Sequence, residues 1–125
     1  MNNDPIEIYI YRIQDSDGRG PWKPGFSKNW TEDRPESEYE KLIPWPYEFG
    51  PVHKKAQPCE YLGCGCLTID QLRQWFTPNE YRTLMKYGYR ATKMPVCRIL
   101  AKSNIQCVFT RVVPLQTDVE FFDLY

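Results

Sequence analysis

The order of patterns along the chain predicts an α+β fold, a small mixed or antiparallel sheet with two short consecutive helices in its middle. Three observations carry this. A period-two run, IEIYIYRI, opens the chain, and two helix-start signatures follow one another at Thr68 and Thr77. Two β-rich runs then close the chain on either side of a polar turn. At 125 residues the chain is expected to be a single domain, 1–125. That length buries roughly two thirds of the surface an unfolded chain exposes, enough for a core without staples. Hydrophobic residues at 42% and aromatics at 15% argue against intrinsic disorder.

In the first strand, Ile6–Ile13, Ile6, Ile8 and Ile10 alternate with Glu7, Tyr9 and Tyr11. It runs into QDSDGRGPWKPGFSKNW, where closely spaced glycines and prolines exclude regular structure. Residues 31–60 read as a long irregular, proline-rich loop, with a short helix expected at Glu36–Leu42. Tyr61–Leu67 (YLGCGCL) reads as a short strand with close backbone packing at its glycines. Thr68-Ile69-Asp70-Gln71 is a capping box, after which Ile69, Leu72, Trp75 and Phe76 share one helical face. Thr77-Pro78 starts a second helix, with Glu80 completing another box, Tyr81, Leu84 and Met85 facing inward and Gly88 as the stop. Tyr89–Ala101 and Ile105–Val113 read as two strands joined at Lys102-Ser103-Asn104, and Val119, Phe121 and Phe122 as an edge strand.

Sixteen basic and sixteen acidic residues cancel, which argues against a globally basic nucleic-acid binder. The distribution is uneven: Arg82, Lys86, Arg90, Lys93, Arg98, Lys102 and Arg111 fall in a stretch, 81–117, that holds no acid. Such a stretch is either a cationic face for phosphates or a solvated face paired with acids elsewhere. No run approaches the ~20 apolar residues of a membrane span. The N-terminal MNNDPIEI also lacks the layout of a signal peptide, so a soluble cytoplasmic protein with no membrane contact is expected. An odd number of cysteines, five, disfavours a disulfide framework. The spacing of Cys59, Cys64 and Cys66 is not that of a common zinc site, so no metal is expected, and His53 reads as a solvated loop residue.

No nucleophilic-serine elbow, phosphate loop or dinucleotide fingerprint is present. What stands out is Arg12 at the end of the first strand, followed by Gly18-Arg19-Gly20-Pro21-Trp22. An arginine leaving a strand has a fixed direction, and a glycine-bracketed loop offers backbone N–H groups beside it. Together they suit a planar anionic or amide-bearing ligand. The alternative is an arginine ion-paired to Asp15 or Asp17 beside an ordinary turn.

YRIQDSDGRGPWKPGFSKNW, GCGCLTIDQLRQWF and KSNIQCVFTRVVPL resemble a widespread group of small phage and bacterial proteins. The resemblance covers nearly the whole chain except 31–58 and brings no activity with it; a phage-borne chain would act in the host cytoplasm. At greater distance the chain resembles the ADP-ribosyltransferase fold. That resemblance implies that Arg12 contacts the nicotinamide part of NAD and that Tyr11, Gly18, Arg19 and Gly20 shape its pocket. It also places Leu67-Thr68 at the family's Ser/Thr element and Gln106 where the catalytic acid belongs. Trp22 or Tyr11 would stack on the ligand, and the basic stretch would hold the pyrophosphate. A glutamine keeps the acid's hydrogen bond and loses its charge. Preorganised charge is commonly worth several kcal/mol of barrier lowering, so a degenerate enzyme is implied.

Two functional classes follow from this. One is a small ADP-ribosyltransferase-like domain binding NAD or a related nucleotide, active as a transferase or NAD glycohydrolase if turnover survives. The other is a phage-type interaction module that modulates a host protein. It would use Glu32, Asp33, Glu36, Glu38 and Glu40 as a surface, with Trp30 and Trp45 as anchors. Nucleic-acid binding through 82–111 ranks third and predicts strong salt dependence.

Overall fold

The structure, a computed structural model, describes residues 7–35, 38 and 40–125. Ile6, and Glu36, Ser37 and Tyr39 of the helix expected at Glu36–Leu42, lie outside the described residues. The strands are β1 (Ile8–Gln14), β2 (Tyr61–Gly65), β3 (Arg90–Val96), β4 (Arg98–Lys102), β5 (Cys107–Arg111) and β6 (Glu120–Phe122). Among the described residues there are three full helices, α1 (Trp45–Phe49), α2 (Ile69–Trp75) and α3 (Pro78–Lys86), and two 3-10 turns, Ser27–Asn29 before α1 and Val52–Lys55 after it. The α+β class is thus realised, with the strands divided between two antiparallel three-stranded sheets, β1-β3-β6 and β2-β5-β4. Among the described residues one isolated backbone bridge links the sheets, in which Tyr11 and Cys66 exchange N–H···O bonds of 2.8 Å in both directions.

The expected strand Tyr89–Ala101 is two strands. β3 pairs with β1 and β6, the chain turns at Cys97, and β4 pairs with β5 in the other sheet. A register shift between Ile99 and Ala101 then breaks the alternation a second time, which is why no inward face is readable there. The strand expected at Tyr61–Leu67 ends at Gly65, beyond which Cys66 alone reaches β1.

β1 is buried on both faces in its second half, so the alternation of its first residues does not continue. Ile13 joins the helix-covered core with Leu72, Phe76, Tyr81 and Leu84, whereas Ile10 joins Met94, Cys107 and Phe109 between the sheets. Arg12 and Gln14 share the Ile10 face and are buried with it. Both helix starts form as expected, since Thr68 and Thr77 each accept from the N3 backbone N–H while Gln71 and Glu80 reach back. Gly88, at φ +89, takes the left-handed turn that ends α3.

The long segment 31–60 is fastened at both ends by carboxylates. Buried Glu80 pairs with Arg34 and accepts the N–H groups of Glu32 and Thr77, both at 2.9 Å. Arg34 also donates to the carbonyls of Gln74 and Trp75 at the end of α2. At the other end Glu60 receives Arg98 Nε at 3.1 Å and Nη2 at 2.5 Å, the Thr110 hydroxyl at 2.7 Å and the Gln57 N–H at 2.8 Å.

These donors, Arg98 foremost, hold the Glu60 carboxyl at about 2 against an ordinary 4.5. A depressed folded-state pKa means that the unfolded chain takes up the proton first. Glu60 therefore contributes fully above about pH 4.5, and its contribution is lost as pH falls toward 2. Denaturant melts across that acid range are expected to show a shallower loss of stability in Glu60→Gln than in the wild type. Parallel profiles would contradict the assignment.

Candidate functional site

The Arg12 side chain leaves β1 toward the seam between the sheets, where it is 6% exposed. Its Nη1 donates to the Cys64 carbonyl at 3.1 Å and its Nη2 to the Gly18 carbonyl at 3.1 Å, while Nε has no partner. The loop that presents Gly18 is closed on itself. Asp15 Oδ1 accepts from the N–H groups of Asp17 and Arg19, both at 2.9 Å, and the Asp15 N–H donates to the Arg19 carbonyl. Gly18 holds φ +82, and a Cβ there would meet Leu115 Cβ and Gln116 N at 3.0 Å, so a side chain is excluded twice over.

The far side of the guanidinium is cleared by the two glycines of β2. A Cβ on Gly63 would lie 2.6 Å from the Phe109 ring and 2.9 Å from Arg12 Nη1. One on Gly65 would lie 2.9 Å from the Tyr11 carbonyl. The GCG motif is therefore the space into which Arg12 folds.

The guanidinium borders a cavity of about 550 Å³ in the seam. Trp22, Trp45, Trp75 and Phe76 supply its aromatic walls, Leu42, Pro44 and Pro46 close one side, and Gly20, Gly63, Cys64 and Gln106 complete the polar corner. Among the described residues Arg12 is the one charged side chain in the lining. No carboxylate stands within ion-pair distance of it among those residues. Asp15, whose attraction reaches it, is paired instead with Lys23 at 3.7 Å. The alternative of an Arg12 ion pair with Asp15 or Asp17 is thus not realised. Burial lowers the Arg12 pKa, with Cys64 and Asp15 opposing the shift, yet guanidinium stays protonated in proteins. The Cys64 thiol is pushed up by burial, with Arg12 acting against it, so it does not serve as a counter-charge.

Gln106 enters the site from the β4–β5 turn and is 5% exposed. Its Nε2 donates to the Ile43 carbonyl at 2.6 Å and to Glu48 Oε1 at 2.9 Å. With both amide hydrogens directed at acceptors, the amide orientation is unambiguous and Oε1 is the open acceptor. Glu48 also accepts from the Ser103 hydroxyl at 2.9 Å, and Ser103 Oγ in turn accepts the Ile105 and Gln106 N–H groups. Leu115, on another wall, is held through its carbonyl by Gln14 Nε2 at 2.8 Å.

Of the residues singled out from sequence, Arg12, Gly20 and Gln106 meet at one cavity, and Gly18 touches it through its bond to Arg12. Tyr11 lies on the opposite face of β1, edge-on to Phe122 at 5.8 Å. The Arg19 side chain is exposed, and the Thr68 hydroxyl is committed to capping α2. None of the seven cations of the basic stretch lines the cavity. Arg98 binds Glu60, Arg90 pairs with Asp123 at 3.6 Å, and buried Arg111 holds the Thr117 carbonyl at 2.6 Å.

Trp30 is core, 3% exposed, edge-on to Trp22 and tilted against Phe76, so it does not serve as a surface anchor, and Trp45 is cavity wall. His53 is exposed beside the Trp45 ring. Cys59 and Cys97 are exposed, whereas Cys66 and Cys107 are buried, the Cys107 thiol pushed up to about 12 by burial. Leu42 and Glu48 carry no local signal as site residues, and Trp45 reads from sequence as an interface anchor rather than as cavity wall. The one local signal was a tryptophan framed by Pro44 and Pro46, a rigid frame that holds a bulky ring in place.

No helix among the described residues is long and apolar enough to cross a membrane. No curated protein and no solved structure matches the chain. A family model described as bacteriophage T4 Y00F protein does match, and it takes in residues 1–120. With the match running from the first strand through the seam cavity and into the edge strand, the chain belongs to the bacteriophage T4 Y00F protein family.

Proposed function

We propose that the seam cavity is a nucleotide site of ADP-ribosyltransferase type that binds NAD or a related nucleotide. The observation that carries this reading is that Arg12, on the first strand, and Gln106, at the entry to β5, line the same cavity although 94 positions separate them in sequence. The volume of about 550 Å³ falls within the range of small-molecule and cofactor sites. The aromatic walls suit a flat base, and a buried guanidinium suits an anionic or amide oxygen. Turnover is weak or lost in this reading. Gln106 supplies a hydrogen-bond acceptor and no charge, and Thr68 is occupied as a cap. The diphosphate of a dinucleotide lies at the cavity mouth, away from the basic stretch.

Calorimetric titration of NAD+ tests the proposal, with Arg12→Gln and Trp45→Ala as site variants. Micromolar binding that both variants weaken at least tenfold is expected, with little nicotinamide release. Absence of heat at millimolar NAD+ overturns it. A second reading, docking on a host protein, is favoured by the exposed aromatics of the first sheet. Tyr9 lies beneath Lys93 at 4.5 Å and Phe121 beneath Arg90 at 5.9 Å, a pairing of aromatics with cations common at interfaces.

A further inference from the structure

The cavity carries one buried positive charge and no second one. Arg12 provides it, with each Nη spending one bond on a backbone carbonyl and with Nε unpartnered. Every other side chain in the lining is neutral among the described residues, and Gln106 is the strongest polar group among them. A buried charge without a counter-charge is a standing electrostatic demand, which a compact anion meets better than a neutral dipole does. The demand is for a single charge. A phosphate dianion would bring a second charge against apolar walls.

We infer that the cavity selects by charge and takes a flat aromatic ring bearing one carboxylate in preference to the same ring bearing a carboxamide. The carboxylate meets the open edge of the Arg12 guanidinium, and the ring lies among Trp22, Trp45 and Trp75. Two features prepare this arrangement. The Cys64 and Gly18 carbonyls fix the guanidinium in plane, so little side-chain freedom is lost on binding. Gly63 leaves the space beside Nη1 free of a side chain. This inference shares with the nucleotide reading the premise that the cavity holds a ligand, and it adds which ring substituent, carboxylate or carboxamide, the site prefers.

The test is a pair of matched probes, nicotinate against nicotinamide and benzoate against benzamide, followed by quenching of the wall tryptophans and by calorimetry. In each pair the acid is expected to bind about tenfold or more tightly than the amide, a difference of ~1.4 kcal/mol. Arg12→Gln is expected to abolish that preference while keeping weak binding of both members. Equal affinities, or a tighter amide, overturn the inference in the wild-type protein alone, so the conclusion does not depend on the variant folding. NAD+ is titrated in the same series. If NAD+ binds and nicotinate neither binds nor displaces it, the charge inference fails and the nucleotide reading stands. If nicotinate binds and NAD+ does not, the outcome is reversed.

Discussion

Replacing Glu80 with alanine is expected to destabilise the protein by about 3–5 kcal/mol, the usual cost of breaking a buried ion pair by removing one partner. Glu80 is 1% exposed, and its carboxylate binds Arg34 and two backbone N–H groups. The alanine variant removes the Glu80 carboxylate from the Arg34 guanidinium, leaves the Glu32 and Thr77 N–H groups without that acceptor and removes half of the α3 capping box. A single domain has about 5–15 kcal/mol of stability in all. The variant should therefore show a large drop in denaturation midpoint or fail to accumulate folded. Glu80→Gln keeps one acceptor oxygen for the Thr77 N–H but loses the charge and the acceptor for the Glu32 N–H, so it should lie between the wild type and the alanine variant. A midpoint for Glu80→Ala within error of the wild type would contradict the pairing.

The second large effect is expected at the glycines of β2. In Gly65→Ala the new methyl would stand 2.9 Å from the Tyr11 carbonyl, a backbone atom with no rotamer by which to withdraw. That carbonyl belongs to the isolated backbone bridge between the sheets, so relief of the clash opens the contact with Cys66. Overpacking of this kind costs about 1–3 kcal/mol. Arg12 is the next residue along, so its guanidinium shifts as well and ligand binding falls with stability. Gly63→Ala should separate the two effects differently, because its methyl meets the Phe109 ring and Arg12 Nη1 directly. Its loss of binding is expected to exceed its loss of stability. Measured by denaturant melts and by probe titration, wild-type behaviour in both variants would show that the GCG segment is not the space Arg12 requires.

Local signals in the chain were sufficient for every element whose cause is local. The capping boxes at Thr68 and Thr77, the helix stop at Gly88 and the turn at Ser103 each depend on a side chain and a backbone group within a few residues. The same holds for Arg12 as a candidate, since a charged residue closing an apolar strand is visible in one dimension. The site had to wait for the tertiary structure. Gln106 and Ile43 are brought together by the β4–β5 turn and by the packing of 31–60, and nothing local to either residue announces the other. Trp30 and Trp45 look alike in sequence, and only packing separates a core residue from a cavity wall.

The segment 31–60, read as irregular, holds α1 and a 3-10 turn, and the strand expected at Tyr89–Ala101 shows the division between local and long-range causes most clearly. Its composition determined that it is β, but where it bends was decided by pairing. β1 and β6 claim residues up to Val96, β5 claims those from Arg98, and one strand cannot lie in both ladders. The chain by itself thus determined its α+β class, the ends of α2 and α3 and the candidacy of Arg12. The tertiary structure decided that there are two sheets rather than one, and therefore that a seam exists in which that arginine is buried without a partner of opposite charge among the described residues. Secondary structure follows from neighbours along the chain, whereas a cavity is what remains between surfaces that only long-range packing brings together.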